Sequence, residues 1–418
     1  MKTSRSIRLF QTETQYNNVK NTFEYPTVAY VRDTDTVHYM AMALREKYKK
    51  KYLTFEALES GTFTLTIPAN INSTYMTSVS YSTDNGTTWV TTQVDNTLQT
   101  ITTPTITAGN KVLWKGVGKQ MAKGTSSNDF SYFSSTGNFN VSGNVMSLLY
   151  GDNFQNNTSF NSGSYYNFAN IFENATKLTD AVKLILPATT LETYCYEYMF
   201  YGCTSLTTAP ELPATTLATY CYYQMFYGCT SLTTAPELPA TTLANNCYQK
   251  MFQGCTSLTT APELPATTLA NICYYQMFYG CTSLTTAPEL PATTLANNCY
   301  NQMFSGCTGL TTAPELPATT LESSCYYSMF QNCTGLTTAP ELPATTLARN
   351  CYSYMFQNCS SLNYIKAMFT TTPGNSYTNN WVNGVAATGT FVKNSAAQWN
   401  VTGVNGVPSG WTVQTAAS

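Results

Sequence analysis

Charge is what this sequence has least of. Charged residues make up 10% of its 418 positions, against about 25% in ordinary globular chains. Lys and Arg (20) nearly balance Asp and Glu (22), so no global field points to nucleic acid. A charge-rich disordered chain and a coiled coil are both excluded. A single histidine, His38, leaves no material for His-rich metal sites and weakens any Cys–His or Ser–His catalytic scheme. No apolar run approaches the roughly 18 residues of a transmembrane helix. The opening MKTSRSIRLFQTETQYNNV is basic but has no apolar stretch of the secretory type, so no export signal is expected within it. The 43% apolar content still supplies a core, and the polar remainder is Thr, Asn, Ser, Tyr and Gln.

What is present is repetition. Cysteines fall at Cys195, Cys221, Cys247, Cys273, Cys299, Cys325 and Cys351, and again at Cys203, Cys229, Cys255, Cys281, Cys307, Cys333 and Cys359; both series step by 26 residues and together account for all 14. Each unit reads C-Y-x-x-M-F-x-[GN]-C-[TS]-[SG]-L, usually followed by T-T-A-P-E-L-P-A-T-T-L. A stack of short coils is the economical reading.

Cys195, Met199 and Cys203 are spaced by four, as are Tyr196 and Phe200, which predicts one apolar stripe on a helix of about two turns. The residue two before the first cysteine is Thr, Asn, Ser or Arg, mostly good N-caps. The residue before the second is Gly202, Gly228, Gly254, Gly280, Gly306, Asn332 or Asn358, the types that accept a left-handed helix stop. The segment 206–217 is predicted to be extended, with Pro210 and Pro213 limiting any strand to a few residues.

The recurring MFYGCTSL of Met199–Leu206, continued to MFQNCSSL at Met355–Leu362, resembles the BspA-like class of leucine-rich repeats, built on F-x-G-C-x-S-L. The resemblance covers 168–368 and departs from the family in its 26-residue period and its Pro-rich strand. It implies a leucine-rich-repeat solenoid with a short strand and a short helix per coil: seven regular coils from about 192, preceded by a degenerate coil in which IFENATKL (171–178) has Ala175 in place of cysteine and a two-residue insertion follows. Residues 369–418, with Trp381, Trp399 and Trp411, read as a C-terminal cap.

Before the repeats, 1–52 reads as a basic arm with the dense run Arg45, Lys47, Lys49, Lys50 and Lys51. Residues 53–118 alternate as a small all-β sandwich or barrel, with Asp84-Asn85-Gly86 as a turn. Residues 119–167 are Ser-, Asn- and Gly-rich and read as a bridge. The stretch Tyr25–Tyr39, with the β domain and repeats behind it, looks like an architecture of virion proteins of gut Bacteroidales (crAss-like) bacteriophages. That resemblance implies an N-terminal region anchored on other virion proteins, and by analogy with fibres a homo-oligomer, a trimer.

The chemistry-bearing columns each have two readings. The cysteines could be disulfides, metal ligands, nucleophiles or core filler. Seven per column cannot pair completely and C-x7-C lacks zinc spacing, so reduced core cysteine is favoured. Glu211, Glu237, Glu263, Glu289, Glu315 and Glu341 form a carboxylate column that could bind a cation or simply stay solvated. Identical ladders do not separate an acid from a base, which argues against a glycosidase pair. Variation between units concentrates on the predicted helix side, while LTTAPELPATTL stays almost constant. Tyr201, Tyr227 and Tyr279 share one column, and Tyr223, Tyr275 and Tyr327 another. Such tyrosines, mixed with Asn and Gln, suit a sugar or protein ligand, or are drift between duplicated units. The Lys/Arg run fits a solvated helix as well as an acidic partner, and nucleic acid is not expected. No motif points to catalysis, and no cofactor is implied. The expectation is a non-catalytic virion head or tail fibre or decoration protein that presents its repeats to a host glycan or protein, without membrane insertion; the alternative is an exported bacterial cell-surface adhesin.

Overall fold

The computed structural model describes residues 48–124, 126, 128–161 and 163–416, together with the backbone of three strands closer to the N-terminus. Those three are β1 (Ser6–Phe10), β2 (Thr27–Val31) and β3 (Thr36–Tyr39). β2 pairs parallel with β1 and antiparallel with β3. Of the basic run, Arg45 and Lys47 lie outside the described residues.

The β-rich region is two sheets packed face to face. One runs β12-β11-β4-β9-β6-β7 and the other β10-β5-β8, from β4 (Leu53–Ala57), β5 (Phe63–Ile67), β6 (Met76–Ser82), β7 (Val90–Gln93), β8 (Gln99–Thr102), β9 (Lys111–Gly118), β10 (Tyr132–Ser135), β11 (Phe139–Asn144) and β12 (Leu178–Ile185). In β5, Phe63, Leu65 and Ile67 are buried while Thr64 and Thr66 are half-buried, the period-2 pattern of a strand with one face on a core. Phe55 of the large sheet meets Phe63 and Phe133 of the small one at ring-centroid distances of 5.4 and 4.8 Å. Asn85 and Gly86 both adopt positive φ (59° and 88°), as the turn residues there require.

The stretch 119–167, read as a bridge, contributes β10 and β11 to the two sheets. A short helix, α1 (Ser147–Tyr150), and a 3-10 turn over Gly151–Asn156 follow. β12, in the degenerate first coil, pairs parallel with β11, and Phe172 of that coil lies 5.9 Å from both Phe55 and Phe133. One hydrophobic core therefore runs from the sheets into the coils. Strand pairing crosses the boundaries drawn from composition because a parallel partner 40 residues away leaves no local signature.

The coils contain turns where helices were predicted; among the described residues no helix falls between 192 and 362. Every second N–H makes a local turn: Cys195 to Glu192 O, Glu197 to Tyr194 O, Met199 to Tyr196 O, Tyr201 to Tyr198 O and Cys203 to Phe200 O, at 3.0–3.3 Å. The alternate N–H groups point along the stack. Tyr196, Tyr198, Phe200 and Gly202 donate to the carbonyls of Cys221, Tyr223, Met225 and Tyr227 at 2.8–3.0 Å. Positive φ recurs every four residues, at Tyr194 (60°), Tyr198 (54°) and Gly202 (69°), which places a left-handed residue third in alternate turns. A turn ribbon of period four and a helix of period 3.6 are indistinguishable over nine residues. The ribbon wins because the next coil offers a partner to each axial N–H. The residues read as N-caps accordingly cap nothing; instead Asn245 Oδ1 and Asn271 Oδ1 each accept the backbone N–H of the equivalent Asn one coil on, at 3.1 Å.

The extended segment is confined to single parallel bridges, such as Thr208↔Thr234 and Thr216↔Thr242. Inside, like stacks on like. Phe200, Phe226, Phe252 and Phe278 are 5.3–5.7 Å apart, and Tyr196, Tyr222, Tyr248 and Tyr274 5.8–5.9 Å, with near-parallel rings. Residues 369–416 continue this order. Phe356 N–H reaches Trp381 O at 2.8 Å, Asn380 and Gly384 hold positive φ in the same register, and β13 (Tyr364–Ala367), β14 (Thr390–Lys393) and β15 (Thr412–Thr415) form a parallel sheet. The stretch read as a separate cap is thus, in its first part, a further coil closed by the buried Trp381, Trp399 and Trp411.

Candidate ligand-binding surface

All fourteen cysteines are free thiols with no exposed surface. Each thiol of the second column faces the phenylalanine carbonyl of the preceding coil: Cys203 Sγ to Phe172 O at 3.0 Å, Cys229 to Phe200 O at 3.1 Å, Cys359 to Phe330 O at 2.9 Å. Burial pushes the thiols up, Cys247 and Cys307 to about 12, which removes the thiolate needed for nucleophilic or metal chemistry. In the carboxylate column Glu211 is half-buried and the other five are exposed. Glu341 forms an ion pair with Lys366 at 2.9 Å. Among the described residues no group of three or more His, Cys, Asp or Glu is placed to hold a metal.

The tyrosine columns lie on the turn ribbon and are uneven along it. Tyr201 and Tyr227 stack at 4.8 Å, and Tyr223 makes edge contacts with Tyr198 at 5.3 Å and Tyr220 at 5.4 Å. A second surface stack, Tyr166–Tyr194–Tyr220, runs beside them at 4.6 and 5.2 Å. Farther along, Tyr275 and Tyr327 are half-buried and Tyr279 is exposed. The aromatic surface is thus densest on the degenerate coil and the first two regular ones, and thins where Asn246, Lys250 and Gln253 take the equivalent places.

At that dense end a cavity of about 250 Å³ is lined by Asn170, Glu173, Tyr198, Tyr201 and Gln224. Its origin is a mismatch. Positive φ at Tyr166, Asn170 and Asn174 aligns that coil with Tyr194, Tyr198 and Gly202 at a spacing of 28 instead of 26. Asn170 therefore stands against Tyr198 and Glu173 against Tyr201, and a short chain against a long ring leaves room. Asn170 is 2% exposed; its Nδ2 donates to Glu173 Oε2 at 2.8 Å, while its Oδ1 has no partner. An unpaired buried acceptor costs about 1–3 kcal/mol. Beside the cavity Glu197 is 4% exposed, its Oε2 also has no partner, and burial raises its carboxyl to about 8. Burial raises Glu173 as well, against the hydrogen bond from Asn170. None of the five lining residues is basic.

The sequence reading reached Tyr201, Tyr223 and Tyr227 but missed Tyr166, Tyr194, Tyr198, Tyr220, Asn170, Glu173 and Gln224. A signal existed, since the 198 column varies as widely as its neighbours (Tyr, Gln, Lys, Gln, Gln, Ser, Tyr). It falls inside the predicted helix but off its apolar stripe, where variation reads as ordinary solvent-facing change.

No helix among the described residues is long and apolar enough to cross a membrane. No curated protein and no solved structure matches the chain. A family model for the BspA type leucine-rich repeat region, written as six copies, matches residues 125–259, 169–291 and 245–382. Such repeats are in general a non-catalytic, protein-interaction fold. The matched coils, their leucine and cysteine columns and the turn ribbon account for more than half of the sequence: the chain belongs to the BspA-type leucine-rich-repeat family.

Proposed function

We propose that the protein is a non-catalytic adhesion component of a virion, a head or tail fibre or decoration protein, with its N-terminal region on other virion proteins and its turn ribbon facing a host glycan or protein. The observation that carries the recognition role is the concentration of half-exposed tyrosines and the polar cavity on one face at one end of the coils, while the interior repeats almost without change. Function of this kind needs a rigid frame and a variable face, and a stack in which every coil hydrogen-bonds to the next supplies the frame. The virion placement draws on the resemblance around Tyr25–Tyr39.

Location is the test. Antibody raised to residues 165–418 is applied to purified phage particles and to washed bacterial cells. Signal on particles is expected. Signal on cells alone would replace the virion role with that of an exported surface adhesin, and leave the recognition face in place.

A further inference from the structure

We propose that the cavity between the degenerate coil and the first regular coil is a monosaccharide subsite that takes one uncharged hexose ring. This deepens the recognition role above and rests on it. The lining is polar: the phenols of Tyr198 and Tyr201 and the amide of Gln224 stand beside Asn170 and Glu173. A sugar hydroxyl both donates to and accepts from such groups. Tyr198 and Tyr201 meet edge-on, with centroids 5.5 Å apart, so between them they offer both a ring face and a ring edge.

Size and charge narrow the class. About 250 Å³ is below the usual range for drug-sized ligands, so one ring fits and a peptide helix does not. With no basic residue in the lining, the carboxylate of a uronate or other acidic sugar meets no compensating charge. Burial holds the carboxyls of Glu173 and Glu197 toward their neutral forms, which favours an uncharged guest over a cationic one. The pairing of a short Asn170 with a long Tyr198 belongs to this junction; farther along, the same column holds Gln224, Lys250, Gln276 and Gln302.

The test uses the full chain, with methyl α-D-glucoside, methyl α-D-mannoside and methyl β-D-galactoside as neutral probes, and glucosamine and glucuronate as charged ones. Binding is followed by saturation-transfer NMR and calorimetry. At least one neutral glycoside is expected to bind. Tyr201→Ala and Asn170→Gly (glycine keeps the positive φ) should each weaken it about tenfold or more. Tyr201→Phe should retain most of the affinity, and Tyr279→Ala, in the same column but far from the cavity, should change nothing. Melting curves establish that each variant folds; if Asn170→Gly does not, the Ala and Phe variants at Tyr201 decide. The proposal falls if no neutral glycoside binds, if glucosamine or glucuronate alone binds, or if folded Tyr201→Ala binds as well as the parent. Adhesion of the full chain to host cells that none of the glycosides competes would remove this subsite and spare the recognition role; absence of any adhesion would remove both.

Discussion

The two halves of this molecule solve the same packing problem in opposite ways. In the β-rich half each core residue has unlike neighbours: Phe55 alone touches Phe63, Phe133, Phe139, Trp114 and Phe172. In the coils each core residue meets a copy of itself above and below, and alternate N–H groups find their partner 25 residues away. The first core is a jigsaw whose pieces are held by long-range antiparallel pairing. The second is a ladder, in which cohesion comes from neighbours and a defect stays near where it is made.

The sharpest break in this comparison would come from separating the halves. A fragment starting at residue 165 leaves β12 without β11 and uncovers Phe172 and Leu178, so it should aggregate or melt without cooperativity. A monomer that unfolds in one sharp transition would show that the shared core is dispensable. Next in size is a matched pair. Phe55→Ala and Phe278→Ala should each cost roughly 3–5 kcal/mol. The first should lower a single transition, and the second should broaden unfolding by loosening adjacent coils; denaturant curves read by circular dichroism and by hydrogen exchange distinguish the two.

Glu197 probes the joint between the halves by pH. Its carboxyl titrates at about 8 when folded and at the ordinary 4.5 when unfolded. Between those values the folded state holds the extra proton, so the contribution of Glu197 to stability is full below about pH 4.5 and is lost as pH rises to 8, on the order of 5 kcal/mol in all. Glu197→Gln should flatten that dependence in urea titrations, and an unchanged slope would assign it to other groups. The smallest effects test the ribbon. A Cβ on Gly280 would meet nothing within 4 Å, so the cost of Gly280→Ala should be purely conformational, about 1–2 kcal/mol. Ile272 is a β-branched residue held at φ 59°, and Ile272→Asn should be stabilising by about 1 kcal/mol. A neutral result at both would mean that the left-handed positions carry little strain.

Much of this was legible in the residues. The period, the buried columns of Cys, Tyr, Met, Phe and Leu, and the left-handed place taken by Gly or Asn before the second cysteine all follow from side-chain type at a fixed spacing. So does the alternation of β5. Less legible were Tyr194, Tyr198 and their equivalents, which take the same backbone conformation as Gly202 while bearing side chains that ordinarily avoid it.

The sequence by itself determined which residues repeat, which are buried and which face varies, because those depend on composition at each position of the unit. Only the tertiary structure decided turn over helix, the joining of β12 to β11, the further coil that begins after 369 and the cavity at Asn170. Each of these depends on which residue of one coil lies against which residue of another, and that pairing is made by hydrogen bonds across 25 or more residues, beyond the reach of any local pattern.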